Sequence, residues 1–516
     1  MHDLSYSKPL RSTLAALVVA TLTACAVGPD YTRPDLPVPE RYASDPARLA
    51  ASAGGSATTD ASIGTNETTA TSGGAAISVT APLPDADAEF WKSFDDPVLD
   101  NLVDTALVAN HDLRIALSRF DQANALLREA GFDRLPTVTA NARASDSRSS
   151  ADQLPGLARE QRDADIYQAS IVASWELDVF GRIRRNTESQ RADAAASAAD
   201  LAAAQVAIVG DVVRSYVELR GLQERLRVAR SNADNQRETL RIVQARLDAG
   251  RGTEFDTSRA RAQLETTLSR IPAFAAAVDV TMHRLAVLTG QAPEELLATL
   301  DVVKPLPALP DAVDAGTPGE LLRRRPDVGA AEARLHSATA RIGVATADLF
   351  PRFTLGGLIG TQSFDSDALF ERDSETRLVA LGVDWSFLDV GRVRARIAAT
   401  DAAASGVLAQ YEQTVLLALE ETENALVRFG HARAEDAHLE QAAVDSARAA
   451  ALARVRFDAG AVDLLDVLDS ERTQLQAQDA FADARVRSAT ALVDLYKSLA
   501  GGWPTREPQR ERVSAR

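Results

Sequence analysis

The chain of 516 residues carries one cysteine, two methionines and six histidines. A lone cysteine excludes a disulfide framework or a Cys-rich metal site within the chain. Basic blocks are also missing: 56 Lys and Arg stand against 73 Asp and Glu, a net charge of −17 with an isoelectric point near 5.0. That balance lacks the positive footprint phosphate backbones require, so nucleic acid is not expected as a partner. With 46% hydrophobic and 25% charged residues, collagen-like, disordered and polytopic helical membrane classes are excluded for the bulk. The six histidines are scattered; only His431 and His438 lie near each other in sequence, seven apart and so on one helix face, which reads as a solvated coincidence rather than a metal site. There is no Gly-x-Ser-x-Gly elbow, phosphate loop or dinucleotide fingerprint. No enzyme activity and no cofactor are expected.

What is present begins at the N-terminus. Lys8 and Arg11 precede the apolar run from Leu14 to Ala20, and Leu22-Thr23-Ala24-Cys25 follows. A basic region, a short apolar region and small residues make a secretory signal rather than a membrane span, which needs about 20 apolar residues. The tetrapeptide resembles a bacterial lipobox, so residues 1–24 read as a signal peptide and Cys25 as the new N-terminus carrying diacylglycerol and an N-acyl chain. Such lipid would anchor the chain durably. Within 25–89, Pro29, Pro34, Pro37, Pro39 and Pro46 mark an extended strap, and residues 51–80 are an Ala/Ser/Thr/Gly linker too poor in large apolar side chains to order itself.

From Phe90 the sequence reads as two copies of one unit, 90–300 and 301–504, followed by a disordered tail at 505–516. Asp112 precedes Pro136 by 24 residues, as Asp327 precedes Pro351. Gly181-Arg-Ile-Arg184 matches Gly391-Arg-Val-Arg394, and 69 residues on in each case Gly250 matches Gly460. Conserved gaps of that size indicate duplication.

Each copy opens with a helical pattern, Asp112 to Glu129 and Asp327 to Asp348, halted before a proline. The period then becomes two. Val138, Ala140, Ala142 and Ala144 make one apolar face, and Tyr167, Ala169, Ile171, Ala173, Trp175 and Leu177 a second. Phe353, Leu355, Gly357 and Ile359 make a third, and Val379, Leu381, Val383, Trp385 and Phe387 a fourth. Strands of about 10 residues with one apolar face fit a transmembrane sheet, and Tyr167, Trp175, Phe350, Trp385 and Phe387 near their ends fit an interfacial aromatic girdle. A half-buried soluble sheet has the same pattern. After each second strand comes a long run of strong helix formers; Ile183 to Ala249, unbroken, would extend on the order of 100 Å. The stripe Val212, Tyr216, Leu219, Leu222, Leu226, Ala229 and Ala233 suits coiled-coil packing. The chain must reverse near Gly250, Gly252 and Gly460.

Four membrane strands cannot close a barrel, and open edges cannot face lipid. Two copies would give eight strands with a filled bore, and three would give twelve with an aqueous lumen. The motifs Cys25-Ala-Val-Gly-Pro-Asp-Tyr31 with Arg33-Pro34, Phe90-Trp91, Phe94-Asp95-Asp96-Pro97-Val98-Leu99, Ala109-Asn110-His111-Asp112-Leu113, Arg325-Pro326-Asp327-Val328, Ala331-Glu332, Ile342-Gly-Val-Ala345, Phe350-Pro351 and Gly460-Ala-Val-Asp-Leu-Leu-Asp-Val-Leu-Asp469, with Glu471-Arg472 and Gln474-Leu475 after it, occur in this order. Together they make the chain resemble the outer-membrane efflux factors of the TolC/NodT type from Leu22 onward. The linker at 51–80 is long for that family, and Arg251-Gly-Thr-Glu-Phe255 poorly keeps the counterpart of Leu464-Leu465.

The resemblance implies an α+β membrane protein. It would be a homotrimeric 12-stranded β-barrel in the outer membrane, four strands per chain, continued into the periplasm by a helical barrel. It would passively conduct drugs or other small molecules as part of a tripartite pump with a periplasmic adaptor and an inner-membrane pump of the RND type. A protein-secretion duct and a non-conducting coiled-coil lipoprotein are the alternatives. By resemblance, Asp463, Asp466 and Asp469 would ring the periplasmic constriction, although Asp463 and Asp466 would also serve as helix caps. Gly250, Gly460, Arg246 and Arg456 would form the adaptor-docking tip, with Arg246 and Arg456 expected to pair locally with Asp248 and Asp458.

Overall fold

The computed structural model describes residues 26–43, 89–307, 313, 315–500 and 508–510. The expected signal peptide, the expected lipidation site Cys25, Pro46, the 51–80 stretch and most of 505–516 lie outside these described residues. Two compact units are distinguished. One takes residues 26–35, 120–198 and 330–412, and the other takes the remaining described residues. Each unit thus draws on both 90–300 and 301–504, because long-range packing joins equivalent segments of the two copies.

The first unit holds a four-stranded antiparallel sheet in the order β1-β2-β3-β4, comprising β1 (Thr137–Arg148), β2 (Asp163–Leu177), β3 (Arg352–Ser363) and β4 (Glu375–Asp384). Each hairpin comes from one copy, and the β2–β3 ladder joins them. The register pairs Val138 with Ala173, Ala140 with Ile171, Ile171 with Ile359 and Leu355 with Leu381. Directly opposed residues share a face, so all four expected apolar rows fall on the same side of the sheet. That face is largely open: Val138 is 63% exposed, Ile171 51%, Ile359 66% and Leu381 64%. Arg377 interrupts it opposite Ile359. On the other face Gly360 lies against Ser170, where a Cβ would stand 2.6 Å from the serine Cβ, and Ser170 is buried.

One boundary differs from the sequence reading. β4 ends at Asp384, so Trp385 and Phe387 lie beyond it. Asp384 pairs with Arg352, the first residue of β3 after Pro351, and the ladder has no further partner to offer.

Helices α1 (Pro97–Ala109) and α2 (His111–Phe132) precede the first hairpin. Asp96 caps α1 by accepting from the Val98 amide at 2.9 Å, and Pro97 occupies the first helical position, where its missing N–H costs nothing. Asn110 ends α1 and starts α2: its Oδ1 accepts from the amides of Asp112 and Leu113 while its Nδ2 donates to the Leu288 carbonyl. After β2, α3 runs unbroken for 67 residues (Arg182–Asp248), followed by α4 (Glu254–Leu268), α5 (Arg270–Leu288) and the single turn α6 (Leu297–Leu300). The second copy has α7 (Pro318–Arg324), α8 (Pro326–Ala347), the 69-residue α9 (Val390–Asp458) and α10 (Leu464–Ser498).

The core of the second unit gathers Trp91, Leu99 and Leu107, the α3 residues Val209, Val213, Tyr216 and Leu219, Leu285 of α5 and Leu492 of α10, all essentially solvent-free. Within it the Tyr216 hydroxyl donates to Asp96, and Lys304 approaches the same carboxylate at 3.5 Å. Burial works to raise the Asp96 carboxyl, but the bonds from Tyr216 and Val98 and the Lys304 charge outweigh it and hold the carboxyl below its ordinary range. Arg325 grips Asp327 with two hydrogen bonds of 3.0 and 2.7 Å, Glu421 at 2.7 Å and the Ser498 carbonyl at 3.0 Å. Asp96, Asn110 and Arg325, each in one of the sequence motifs, are thus fasteners between segments distant in sequence. Within the tail, the Gln509 amide donates to the Val108 carbonyl at 3.2 Å, so that residue is tied down where disorder was expected.

Candidate functional site

Two regions hold the candidate residues. The first is the helical tip. Gly250 and Gly460 adopt φ of +70° and +73°, the left-handed conformation glycine accepts without strain. Around each, the same pair of backbone bonds closes the helix: Gly250 N–H to Leu247 O and Arg251 N–H to Arg246 O in one, Gly460 N–H to Phe457 O and Ala461 N–H to Arg456 O in the other. This is a Schellman cap, and both expected reversals fall where the glycines stand.

Arg246 does not pair with Asp248. Its guanidinium lies 3.8 Å from the Phe457 ring centroid and donates to the Phe457 carbonyl at 3.3 Å, while Asp248 accepts from Gln244. A flat guanidinium stacks better on a desolvated aromatic face than it pairs with an exposed carboxylate two residues away. Arg456 is exposed. A groove of about 460 Å³ opens here, lined by Arg246, Arg251, Arg259, Phe255, Asp256, Gly460, Asp463 and Leu465 among others. Phe255 is 66% exposed within it and Leu465 52%.

The three acidic candidates are all exposed. Asp463 stands at the N-cap of α10, but its side chain makes no cap bond; only its carbonyl receives the Asp466 amide. The side-chain capping role expected for Asp463 is therefore not realised. Asp466 lies in the first turn, and Asp469 is paired with Arg472 one turn on.

Sequence reasoning missed the buried neighbour of this cluster. Glu471 is 2% exposed, and its Oε1 accepts from Arg454 Nε at 2.8 Å and from Thr239 Oγ1 at 2.8 Å, linking α3, α9 and α10. Its Oε2 has no partner among the described residues. Nothing in the local pattern distinguishes Glu471 from the exposed acids beside it, because its burial is set by two other helices.

The second region is the sheet. The aromatic residues there stand at two levels. Tyr167, opposite Ala144 and Ser363, lies toward the 149–162 and 364–374 loops. Trp175, Trp385 and Phe387 lie at the opposite end. In both copies the indole Nε1–H donates to a carbonyl just before the hairpin: Trp175 to Arg134 at 3.0 Å and Trp385 to Leu349 at 3.1 Å. Trp385 and Phe387 rings are 5.6 Å apart, and Phe180 stacks on Phe350 at 4.6 Å. Phe364 and Phe370, 72% and 81% exposed near the loop end, were not singled out from sequence. Among the described residues no cluster of His, Cys, Asp and Glu could hold a metal ion.

An amphipathic four-stranded sheet with an exposed apolar face, joined to helices of 67 and 69 residues, is the architecture expected of an outer-membrane channel subunit. The profile described as "Outer membrane efflux protein" matches residues 102–291 and 317–501, and the chain belongs to that family. It is 31% identical over 506 residues to Outer membrane protein OprJ of Pseudomonas aeruginosa, covering 96% of this chain and 97% of OprJ. It is 33% identical over 432 residues to the Pyoverdine export outer membrane protein OpmQ of Pseudomonas putida, covering 82% and 90%. Among solved structures, the outer-membrane channel OprN superposes with a TM-score of 0.80 at 38% identity, over 93% of this chain and 100% of that one. The open state of the Neisseria gonorrhoeae MtrE channel gives 0.78 at 26% identity, over 93% and 99%.

Proposed function

We infer that the chain is the outer-membrane component of a tripartite efflux pump, a homotrimer that passively conducts small molecules outward. The observation that carries this is the open sheet. Among the described residues β1 and β4 each pair on one side only, while the apolar face is exposed. Unpaired strand edges are not tolerated in hydrocarbon, so the sheet needs further strands, and three copies give twelve around an aqueous bore. Cys25 is the lipid-bearing residue that adds an anchor to the same membrane, and the helices form the periplasmic wall.

The tip groove is where a periplasmic adaptor docks, with the inner-membrane pump, of the RND type, behind it. Exposed Phe255 and Leu465 offer apolar contact, and Arg246, Arg251 and Arg259 line the groove together with Asp256 and Asp463. Gly250, Gly460 and Arg456 shape its surroundings. The relatives described as toluene efflux components and as a pyoverdine exporter support small-molecule traffic. The chain itself contributes a path and no chemistry.

Asp463, Asp466 and Asp469, repeated about a three-fold axis, form the acidic constriction that favours cations. Planar-bilayer recording tests both parts. The purified protein should form uniform channels, and Asp466→Ala with Asp469→Ala should reduce cation selectivity. An unchanged conductance and selectivity would remove the ring, and absence of channels together with a subunit count other than three by native mass spectrometry would remove the conduit.

A further inference from the structure

The start of the strap is seated on the first unit by a dense polar cluster that the conduit reading leaves unused. The Val27 amide donates to the Phe180 carbonyl at 3.1 Å. Arg185 of α3, its side chain 6% exposed, donates to the carbonyls of Val27 and Gly28, to Asp30 at 2.6 Å and to Glu188 at 2.9 Å. Gly28, at φ +95°, passes so close to Gly343 of α8 that a Cβ would stand 2.4 Å from the Gly343 Cα, which makes a closely fitted seat. Three residues on, the Tyr31 ring lies flat on the His336 imidazole, centroids 4.5 Å apart and planes 13° from parallel. The Tyr31 hydroxyl reaches Glu332 at 3.3 Å, and Arg33 pairs with the same carboxylate at 3.1 Å and bonds Tyr411 of α9.

His336 brings an imidazole into this cluster, and imidazole is the side chain whose ordinary charge change falls between about pH 5 and 8. Its Nε2 lies 2.9 Å from Glu188 Oε1. Burial works to raise the Glu188 carboxyl, but the bonds from His336 and Arg185 outweigh it and hold it below its ordinary range. An ionised carboxylate only accepts, so Nε2 carries a proton and a neutral ring takes its second proton at Nδ1. The charged groups joined to it through these contacts are Glu188 and Arg185 from α3, Glu332 from its own helix and Asp30 and Arg33 from the strap. The phenols Tyr31 and Tyr411 complete the set. That is three carboxylates against two guanidiniums, one negative charge in excess while His336 is neutral.

We propose that this seat is a proton-operated clasp, in which protonation of His336 tightens the hold of strap residues 27–33 on α3 and α8. The added charge balances the cluster, turns the Glu188 bond into a charge-assisted one and sets an imidazolium against the Tyr31 ring, which belongs to the strap. The strap is held hardest in acid and slackens as the imidazole loses its proton.

Hydrogen exchange of the full-length protein in detergent micelles, with mass-spectrometric readout of the strap peptide, tests this. After correction for intrinsic rates, exchange across residues 27–33 should be roughly tenfold slower at about pH 5.5 than at about pH 7.5, either side of the ordinary imidazole range. His336→Phe keeps a flat ring but takes no proton, and His336→Gln keeps a donor toward Glu188 without charge. Both should make strap protection independent of pH. Equal strap exchange at the two pH values in the unmodified protein, or an unchanged pH response in either folded variant, would overturn the clasp.

Discussion

The two helical returns of this chain are equivalent in position and opposite in charge. Counting onward from Gly250 and Gly460, the first return places Thr253, Asp256, Arg259 and Arg261 where the second places Asp463, Asp466, Asp469 and Glu471. The backbone solution is shared, a left-handed glycine inside a Schellman cap, whereas the side chains diverge. Thr253 forms a reciprocal capping box with Asp256; Asp463, at the matching position, forms no side-chain cap. The returning helix also differs. In the first copy it breaks at Ser269 between α4 and α5, and in the second it continues for 35 residues as α10. Pro272 accounts for the break, since it lacks the N–H that would bond the Leu268 carbonyl and its ring crowds that carbonyl. A reversal of chain direction constrains φ and ψ tightly and leaves the outward chemistry free, so one turn became basic and the other acidic within one groove.

The contrast is sharpest at Glu471, whose counterpart Arg261 is exposed. Glu471→Ala leaves Arg454 without its buried acceptor and the Thr239 hydroxyl with only the Asn235 carbonyl, and should cost about 3 kcal/mol. Arg261→Ala should stay within about 0.5 kcal/mol. Denaturant unfolding of the two variants measures the difference, and equal losses would mean the second return is not locked by this carboxylate.

A smaller effect separates the two matched arginines. Arg246→Ala removes the stack on Phe457 and one hydrogen bond, an expected loss of about 1–2 kcal/mol. Arg456→Ala should be near neutral by the same measurement. If the two arginines prove interchangeable, the stacked geometry carries no stability.

The smallest expected difference is at the caps. Thr253→Ala should cost about 1 kcal/mol, since a formed capping bond is lost. Asp463→Ala should cost only a few tenths, through the helix dipole. Amide exchange in the first turns of α4 and α10 reads each locally, and a larger loss at Asp463 would show that its side chain caps in solution.

Much of this was readable from residue order. Period-two rows, helix-forming runs and the paired glycines located the strands, the long helices and the reversals, because each rests on interactions between near neighbours. The motif Arg325-Pro-Asp-Val328 was visible as a string, but its role as a grip on Glu421 and the Ser498 carbonyl was not. Arg246 was expected beside Asp248 because only sequence neighbours could be considered; Phe457, 211 residues away, competed successfully for it. Trp385 and Phe387 were carried into β4 by alternation alone, although a strand lasts only as long as its partner.

The lone cysteine, the excess of acid and the absence of catalytic motifs were matters of composition, and they narrowed the function before any packing was known. Alternation along a strand likewise decided which side chains share a face. Packing between distant segments decided which of several similar charges is buried. Glu471 and Asp469 are both acids on one helix, but only Glu471 faces α3 and α9. Desolvation depends on what stands opposite, and that is a property of the folded chain.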